Sequence, residues 1–403
     1  MNIKITPGFL KGKILVPPSK SISHRALIAA ALADGESRIY NLLDCVDTVA
    51  TIEALTALGA EIRREDNCTI VKGISAPAKT ADIDCRESGS TLRFILPVAA
   101  ALGCNASFSG RANLPNRPIT PYFTEFEKHG VKFLTKTMPY NIEGRLSGGV
   151  YEIAGNISSQ FITGFLFALS LLGEDSVIKI TSPLESKPYV DLTIDAMKAF
   201  GVEVVEGENE YRIRGGQKYK PCEYTVEADM SQAAFFCVAK AIGGSPEILG
   251  LNQGSRQGDR EILRITEEFE KTGKAFDYNA SQTPDLVPIL AVLGCFGEGT
   301  SYIRGCERLR IKESDRLAVI SGELNKLGAK IKIVDDSLVI EGVKELHGGE
   351  CDSWTDHRIP MSIAVASQRC TAPVIINGAE CVSKSYPNFF EDFRMLGGIA
   401  DVI

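Results

Sequence analysis

The sequence predicts an α/β protein (α+β by some schemes) of two similar domains. Each domain holds three copies of one unit, strand, buried helix, strand, amphipathic helix and strand pair, and one copy is truncated. Three observations carry this. The first is a series of amphipathic helices that end in Gly and run into a β-like segment: Asp47 to Leu58 then Gly59, Tyr122 to His129 then Gly130, Asp191 to Phe200 then Gly201, Glu261 to Thr272 then Gly273, Asp315 to Leu327 then Gly328, and Asn388 to Leu396 then Gly397. Glycine costs least at the left-handed position that closes a helix. The second is a series of Ala-rich stretches, apolar nearly all round, at Ala26 to Ala33, Leu92 to Leu102, Phe161 to Leu172, Ala233 to Ile242, Leu286 to Gly294 and Ile359 to Ala366. These predict buried helices, and most lead into strand-like runs such as Ser37-Arg-Ile-Tyr and Ser176-Val-Ile-Lys-Ile. The third is spacing. With Ser21, Gly89, Ser159, Ser231, Asp285 and His357 marking the buried-helix starts, the intervals are 68, 70, 72, 54 and 72 residues.

The short interval has a location. From Gly273 to Asp285 is 12 residues where the other copies use about 30, which predicts that the fourth copy lacks its strand pair. The last copy is incomplete as well, and the strand-like Ile3-Lys-Ile and Lys13-Ile-Leu-Val of the first 16 residues can supply strands that it lacks. The expected domains are therefore residues 18–226 and a discontinuous 1–17 plus 227–403, crossing at Pro17-Pro18 and around Val226 to Asp229. A single open sheet covered by helices is the alternative.

The 403 residues leave room for full cores, and 44% hydrophobic with 24% charged residues is ordinary globular composition. A net charge of −7 argues against a nucleic-acid or anionic-membrane surface, so any basic site must be local. The eleven scattered cysteines read as reduced thiols, and with no CxxC, no HExxH and four histidines that share no ligand spacing, no protein-held metal is expected. Apolar runs stay below the ~18 residues of a membrane span and the N-terminus has no apolar leader pattern, so a cytoplasmic protein is expected.

A polar cluster stands before each apolar run: Ser19-Lys20-Ser21-Ile-Ser-His-Arg25, Glu87-Ser88-Gly89-Ser90-Thr91-Leu-Arg93, Ser158-Ser159-Gln160, Asp229-Met-Ser231-Gln232, Thr283-Pro-Asp285 and Asp356-His357-Arg358. Capping of free N–H groups explains any one of them. Their repetition implies that helix N-termini, each with about half a positive charge, converge on one face of each domain and form an anion site. Lys20, Arg25, Arg93, Arg117, Lys312, Arg316, Arg358 and Lys384 add charge that capping does not require. Arg25, Arg93, Arg316 and Arg358 lie beside apolar residues, where a bare charge is costly, so anionic partners are expected: Asp, Glu, or better a bound phosphate or carboxylate. Asp285 reads either as a helix cap or as a carboxylate held in a cleft; Glu313 and His357 are further proton carriers. P-loop, dinucleotide-binding and GxSxG signatures are absent. The residues alone point to a two-domain enzyme for small polyanions.

Pro17-Pro-Ser-Lys20-Ser21-Ile-Ser-His-Arg25, Arg117-Pro118, Ser158-Ser159-Gln160, Ser186-Lys-Pro-Tyr189, Lys312-Glu313-Ser-Asp315-Arg316, Asp356-His357-Arg358 and Lys384 together resemble the EPSP synthases, the enolpyruvyl transferases of the shikimate pathway, over nearly the whole chain. The resemblance implies two domains of three βαβαββ repeats about a pseudo-threefold axis, an inside-out α/β barrel, that close on substrate. It implies transfer of the carboxyvinyl group of phosphoenolpyruvate to the 5-hydroxyl of shikimate 3-phosphate, with release of phosphate and no metal or organic cofactor; a monomer is expected, although the sequence does not fix the oligomeric state. Carried over by position, Lys20, Ser21, Arg25, Ser158, Ser159, Gln160, Ser186, Tyr189 and Asp285 would hold shikimate 3-phosphate. Lys20, Gly89, Arg93, Arg117, Gln160, Lys312, Arg316, Arg358 and Lys384 would hold phosphoenolpyruvate, with His357 in support. Glu313 is expected as the acid at the methylene, Asp285 as the base on the hydroxyl, and Lys20 and Lys312 as stabilisers of developing charge. Gly89 beside the donor pocket implies sensitivity to glyphosate. The chain departs from the family pattern at Glu87-Ser88-Gly89-Ser90, at Arg308 and at His24, where many members have Asn-Ala-Gly-Thr, Asn and Asn. Rival readings are the UDP-N-acetylglucosamine enolpyruvyl transferases, whose reactive cysteine is missing from Gly110 to Pro118, and a non-catalytic phosphometabolite binder.

Overall fold

The computed structural model describes all residues, 1–403. The chain divides into two compact units, a continuous one, Pro18–Glu227, and a split one made of Met1–Pro17 and Ala228–Ile403. Buried and outer helices alternate in both. The continuous unit holds α1 (Lys20–Ala31), α2 (Val46–Ala57), α3 (Gly89–Leu102), α4 (Thr120–Lys128), α5 (Ser159–Leu169) and α6 (Lys187–Ala199). The split unit holds α7 (Met230–Ala241), α8 (Glu261–Thr272), α9 (Val287–Gly294), α10 (Arg316–Lys326), α11 (Arg358–Ala366) and α12 (Phe389–Met395). Each unit has its own apolar core, built on the odd-numbered helices. All six glycines that follow the outer helices have positive φ, as the closing position demands.

The marker positions Ser21 and Gly89 fall within one residue of the starts of α1 and α3, ahead of the apolar runs at Ala26 and Leu92; the two helices are capped by Ser19 and Ser88, whose side chains accept from Ile22 and Thr91 N–H. Lys20, Ser21 and Arg25, and likewise Gly89 and Arg93, therefore sit on the first two turns of their helices.

Five of the six sheets have four strands in one pattern. In the first, Glu36–Tyr40 pairs in parallel with Glu223–Thr225 and antiparallel with Cys68–Lys72, whose far side takes Glu61–Arg64. The sixth has only Ser245–Leu249 and Lys11–Leu15: α2, α4, α6 and α10 are each followed by a strand pair and then the first strand of the next sheet, whereas α8 is followed by that last strand alone, Asp277–Asn279. Ser245–Leu249 thus keeps one edge without a partner strand. The N-terminal Ile3–Thr6 lies between Val374–Asn377 and Ile399–Val402, antiparallel to both, and fills the place that the last copy leaves empty.

Pro97 inside α3 shows how closely the continuous core is fitted. Proline has no N–H, so the carbonyl of Arg93, four residues earlier, loses its helical donor. The wholly buried Tyr122 of α4 replaces it, its hydroxyl donating to Arg93 O at 2.6 Å and lying 3.2 Å from Phe161 O. Gly164 of α5 makes the room, since a Cβ there would stand 2.2 Å from Arg93 O and 2.3 Å from the tyrosine hydroxyl. Tyr122→Phe strands a buried carbonyl and is expected to cost roughly 1–3 kcal/mol. Combined with Pro97→Ala, which restores the helical donor, the loss should shrink. Urea unfolding of the four proteins measures this, and identical midpoints for wild type and Tyr122→Phe would contradict it.

Candidate functional site

In the continuous unit the first turns of α1, α3 and α5 gather the predicted ligands. Arg25 is 3% exposed. Its Nε donates to Thr193 Oγ1 (2.8 Å), Nη1 to Ser21 O (2.7 Å) and Nη2 to Tyr189 O (2.8 Å), and its guanidinium lies 5.2 Å from the centre of the Phe94 ring. All three acceptors are neutral and no carboxylate pairs with it, so burial pulls its pKa down to about 10. Two of its five N–H groups remain for a ligand. Arg93 donates to Pro118 O and, at 2.6 Å, to Gln160 Oε1, while the Gln160 amide donates to Ser90 Oγ, so α3 and α5 are tied at their starts. Lys20 pairs with Asp47 at the start of α2 at 2.9 Å. Arg117 lies over Gly89, where an added Cβ would stand 2.6 Å from Arg117 Nη1.

Ser158 caps α5 through Gln160 N–H, with Ser159 buried beside it. Ser186, buried before α6, takes a left-handed φ of 54°, a conformation that costs a non-glycine residue energy and that persists here beside Tyr189. Two departures from the family pattern acquire structural roles: Ser88 caps α3, and His24 Nδ1 meets Thr51 Oγ1 at 2.8 Å. Burial, then Lys20 and Arg25, hold the His24 imidazole well below its usual range, so it is neutral. The third, Arg308, is buried and donates to Ser281 O at 2.7 Å.

The split unit answers its cations differently. Arg316, on the first turn of α10 and 1% exposed, is the hub of three carboxylates: Nη1 to Asp285 (2.9 Å), Nη2 to Glu313 (2.6 Å), and Nε to Asp356 (2.8 Å). Asp285 also meets Arg358 Nη2 at 3.1 Å and Lys312 Nζ at 3.7 Å. Burial alone would raise its carboxyl, but Arg358, Lys312 and Arg316 outweigh that and hold it well below the usual carboxylate range. The capping reading of Asp285 does not apply, because it sits within a 3₁₀ turn, Pro284–Leu286, and its oxygens face these cations. Burial pushes the Lys312 ammonium down to about 8, only partly offset by Asp285. Lys384 donates to Thr355 O at 2.6 Å, and His357 is buried at the start of α11. No group of three or more His, Cys, Asp or Glu side chains is placed to hold a metal ion. No helix is long and apolar enough to cross a membrane.

The expected anionic partners of Arg316 and Arg358 are protein carboxylates rather than a ligand alone. In the sequence Asp356 stands out only as part of a polar motif, and Asp47 only as the start of an outer helix. Wholly buried, Asp356 accepts from Arg316 Nε and Nη2, from Ser314 Oγ (3.2 Å) and from Arg358 N–H (3.1 Å). The only advance signal for it was its place two residues before a cation already singled out.

Two units of repeated βαβαββ architecture, with helix starts that present cations and clustered carboxylates, define a class of protein that handles small anions. Comparison with known proteins makes this particular. The family model for EPSP synthase (3-phosphoshikimate 1-carboxyvinyltransferase) matches residues 5–393. The chain is similar to the 3-phosphoshikimate 1-carboxyvinyltransferase of Clostridium perfringens, 47% identical over 99% of both chains, and to that of Clostridioides difficile, 44% identical over 99% of this chain and 98% of that one. Among solved structures it resembles the EPSP synthase of Acinetobacter baumannii, with a TM-score of 0.81, 26% identity and all of both chains covered. The chain belongs to the EPSP synthase family.

Removing Asp356 would leave a buried guanidinium short of its principal partner, and losing one member of a buried pair costs about 3–5 kcal/mol. Asp356→Ala should therefore lower the thermal midpoint markedly; an unchanged midpoint would show that Glu313 and Asp285 suffice to hold Arg316.

Proposed function

We propose that the continuous unit supplies most of the contacts to shikimate 3-phosphate and the split unit the acid–base groups for the reaction of this family, carboxyvinyl transfer from phosphoenolpyruvate to the 5-hydroxyl with release of phosphate. The observation that carries the reading is Arg25: a buried cation with neutral partners alone favours an anion brought by a ligand. Lys20, Ser21, Arg25, Ser158, Ser159, Gln160, Ser186, Tyr189 and Asp285 bind the acceptor. Gly89, Arg93, Arg117 and Gln160 of the continuous unit, with Lys20, and Lys312, Arg316, Arg358 and Lys384 of the split unit bind the donor, and His357 supports them. Arg316 donates four of its five N–H groups to three carboxylates, so a donor carboxylate would meet the one left on Nη1.

Protonation of the donor's methylene by Glu313 leaves an oxocarbenium-like centre, which the 5-hydroxyl attacks as Asp285 takes its proton; return of the methyl proton to Glu313 then expels phosphate. A carboxylate held as low as Asp285 is a poor base in the free protein. Once donor phosphate and carboxylate neutralise Arg358, Lys312 and Arg316, the field that depresses Asp285 weakens and its basicity rises. Lys312 and Lys20 stabilise the charge that develops.

The test is phosphate release from the two substrates by the purified chain, with UDP-N-acetylglucosamine as the competing acceptor. Turnover with shikimate 3-phosphate alone is expected, and Asp285→Ala and Glu313→Ala should each lose roughly 10²–10⁴-fold in kcat. Binding without turnover in the parent protein would favour the non-catalytic reading. The pH profile checks Lys312 separately. Its ammonium is charged below about 8 and neutral above, so kcat/KM for phosphoenolpyruvate should fall as pH rises through that value, and Lys312→Arg should move the fall to higher pH whatever its effect on the plateau.

A further inference from the structure

The continuous unit contains a polar chain whose three bridging residues the functional assignments leave unused, and it repeats with the fold. Thr51, Tyr122 and Thr193 stand 71 residues apart in succession, one on each outer helix, and all three are wholly buried. Each bridges two buried helices. Thr51 of α2 lies between His24 of α1 (2.8 Å) and the Thr91 hydroxyl of α3 (2.7 Å). Tyr122 of α4 lies between Arg93 O of α3 (2.6 Å) and Phe161 O of α5 (3.2 Å). Thr193 of α6 lies between Thr163 of α5 (2.9 Å) and Arg25 Nε of α1 (2.8 Å). From α1 the chain runs through α2, α3, α4, α5 and α6 and returns to α1, a closed polar belt in an otherwise apolar core.

The belt touches the helices next to their ligand-bearing turns. His24 is one helical turn beyond Lys20, Thr91 is two residues from Gly89, and Arg93 and Arg25 are themselves members. Thr193 is the most constrained bridge. Its oxygen accepts from Arg25 Nε, and it also lies 3.0 Å from Tyr189 O, the carbonyl that Arg25 Nη2 uses. With Nε fixed on α6, the guanidinium plane and the direction of its remaining N–H groups are fixed too. A valine has the same shape and cannot accept, so Nε would be left buried without its acceptor and the plane would be free to turn.

We infer that Thr51, Tyr122 and Thr193 are positioning residues, one per repeat, that orient the substrate-binding side chains of the helix starts they join, with Thr193 setting the aim of Arg25 at the anionic groups of shikimate 3-phosphate. The inference rests on the ligand assignment of Arg25 above, and the experiment separates the two. Calorimetric titration of the full chain with shikimate 3-phosphate is done on wild type, Arg25→Ala, Thr193→Val and Thr193→Ser, with KM for phosphoenolpyruvate measured alongside. Loss of a hydrogen bond to a charged group predicts roughly tenfold or more weaker binding in Thr193→Val, near-normal binding in Thr193→Ser, and little change in the donor KM. Tyr122→Phe should do the reverse, raising the donor KM through Arg93 and sparing acceptor affinity.

If Arg25→Ala binds shikimate 3-phosphate as well as wild type, the ligand assignment fails. If Arg25→Ala is weak but Thr193→Val is normal, or Thr193→Ser is as weak as Thr193→Val, the positioning role fails while the assignment stands. Equal weakening of both substrates in Thr193→Val and Tyr122→Phe reduces the belt to general stability and overturns it as well. Should Thr193→Val not fold, Thr193→Cys, of similar size with a weaker acceptor, takes its place under the same criteria.

Discussion

A guanidinium taken out of water has to be answered, and the arrangement of both units follows from how this is done at the helix starts. In the split unit the answer comes from the protein: Arg316 holds Asp285, Glu313 and Asp356 together, and Arg358 and Lys312 complete the charge pattern around Asp285. In the continuous unit Arg25 receives only hydroxyl and carbonyl oxygens, which satisfy its geometry and leave its charge unmatched. The first solution holds the Asp285 carboxyl well below the usual carboxylate range and keeps three carboxylates in register on one guanidinium. The second leaves Arg25 without a protein anion, at a cost in folding free energy that the proposed ligand would return.

The helices make this possible. A buried helix that begins within a polar cluster carries its cation on the first two turns, close to the N–H groups and the positive end of the helix dipole, and both favour an anion there. The Ser19 cap starts α1 at Lys20 and so places Lys20 and Arg25 on its first two turns.

Much of the fold was legible because helix ends and periodicity leave local marks. Gly59, Gly130, Gly201, Gly273, Gly328 and Gly397 announce the ends of the outer helices, and the short Gly273–Asp285 interval announces the missing strand pair. The buried-helix starts were marked by the recurring polar clusters, and Ser21 and Gly89 lie within one residue of the starts of α1 and α3. At the site the cations and Asp285 and Glu313 stand out by charge next to apolar runs. What sequence could not supply is pairing: Asp356 on Arg316 and Asp47 on Lys20 join residues 40 and 27 positions apart. The bridging of Tyr122 to Arg93 is similarly hidden, because the need arises from a proline on a different helix.

The truncated copy has a consequence for how copies of the chain meet in solution. Ser245 turns its N–H towards the neighbouring N-terminal segment, bonding to Leu10 O, so alternation aims the backbone of residue 246 at the strand's bare side. That residue is Pro246, which has no hydrogen to offer there. An intruding β-strand from another molecule would find the docking row interrupted, so the protein could discard a hairpin without gaining a sticky flank.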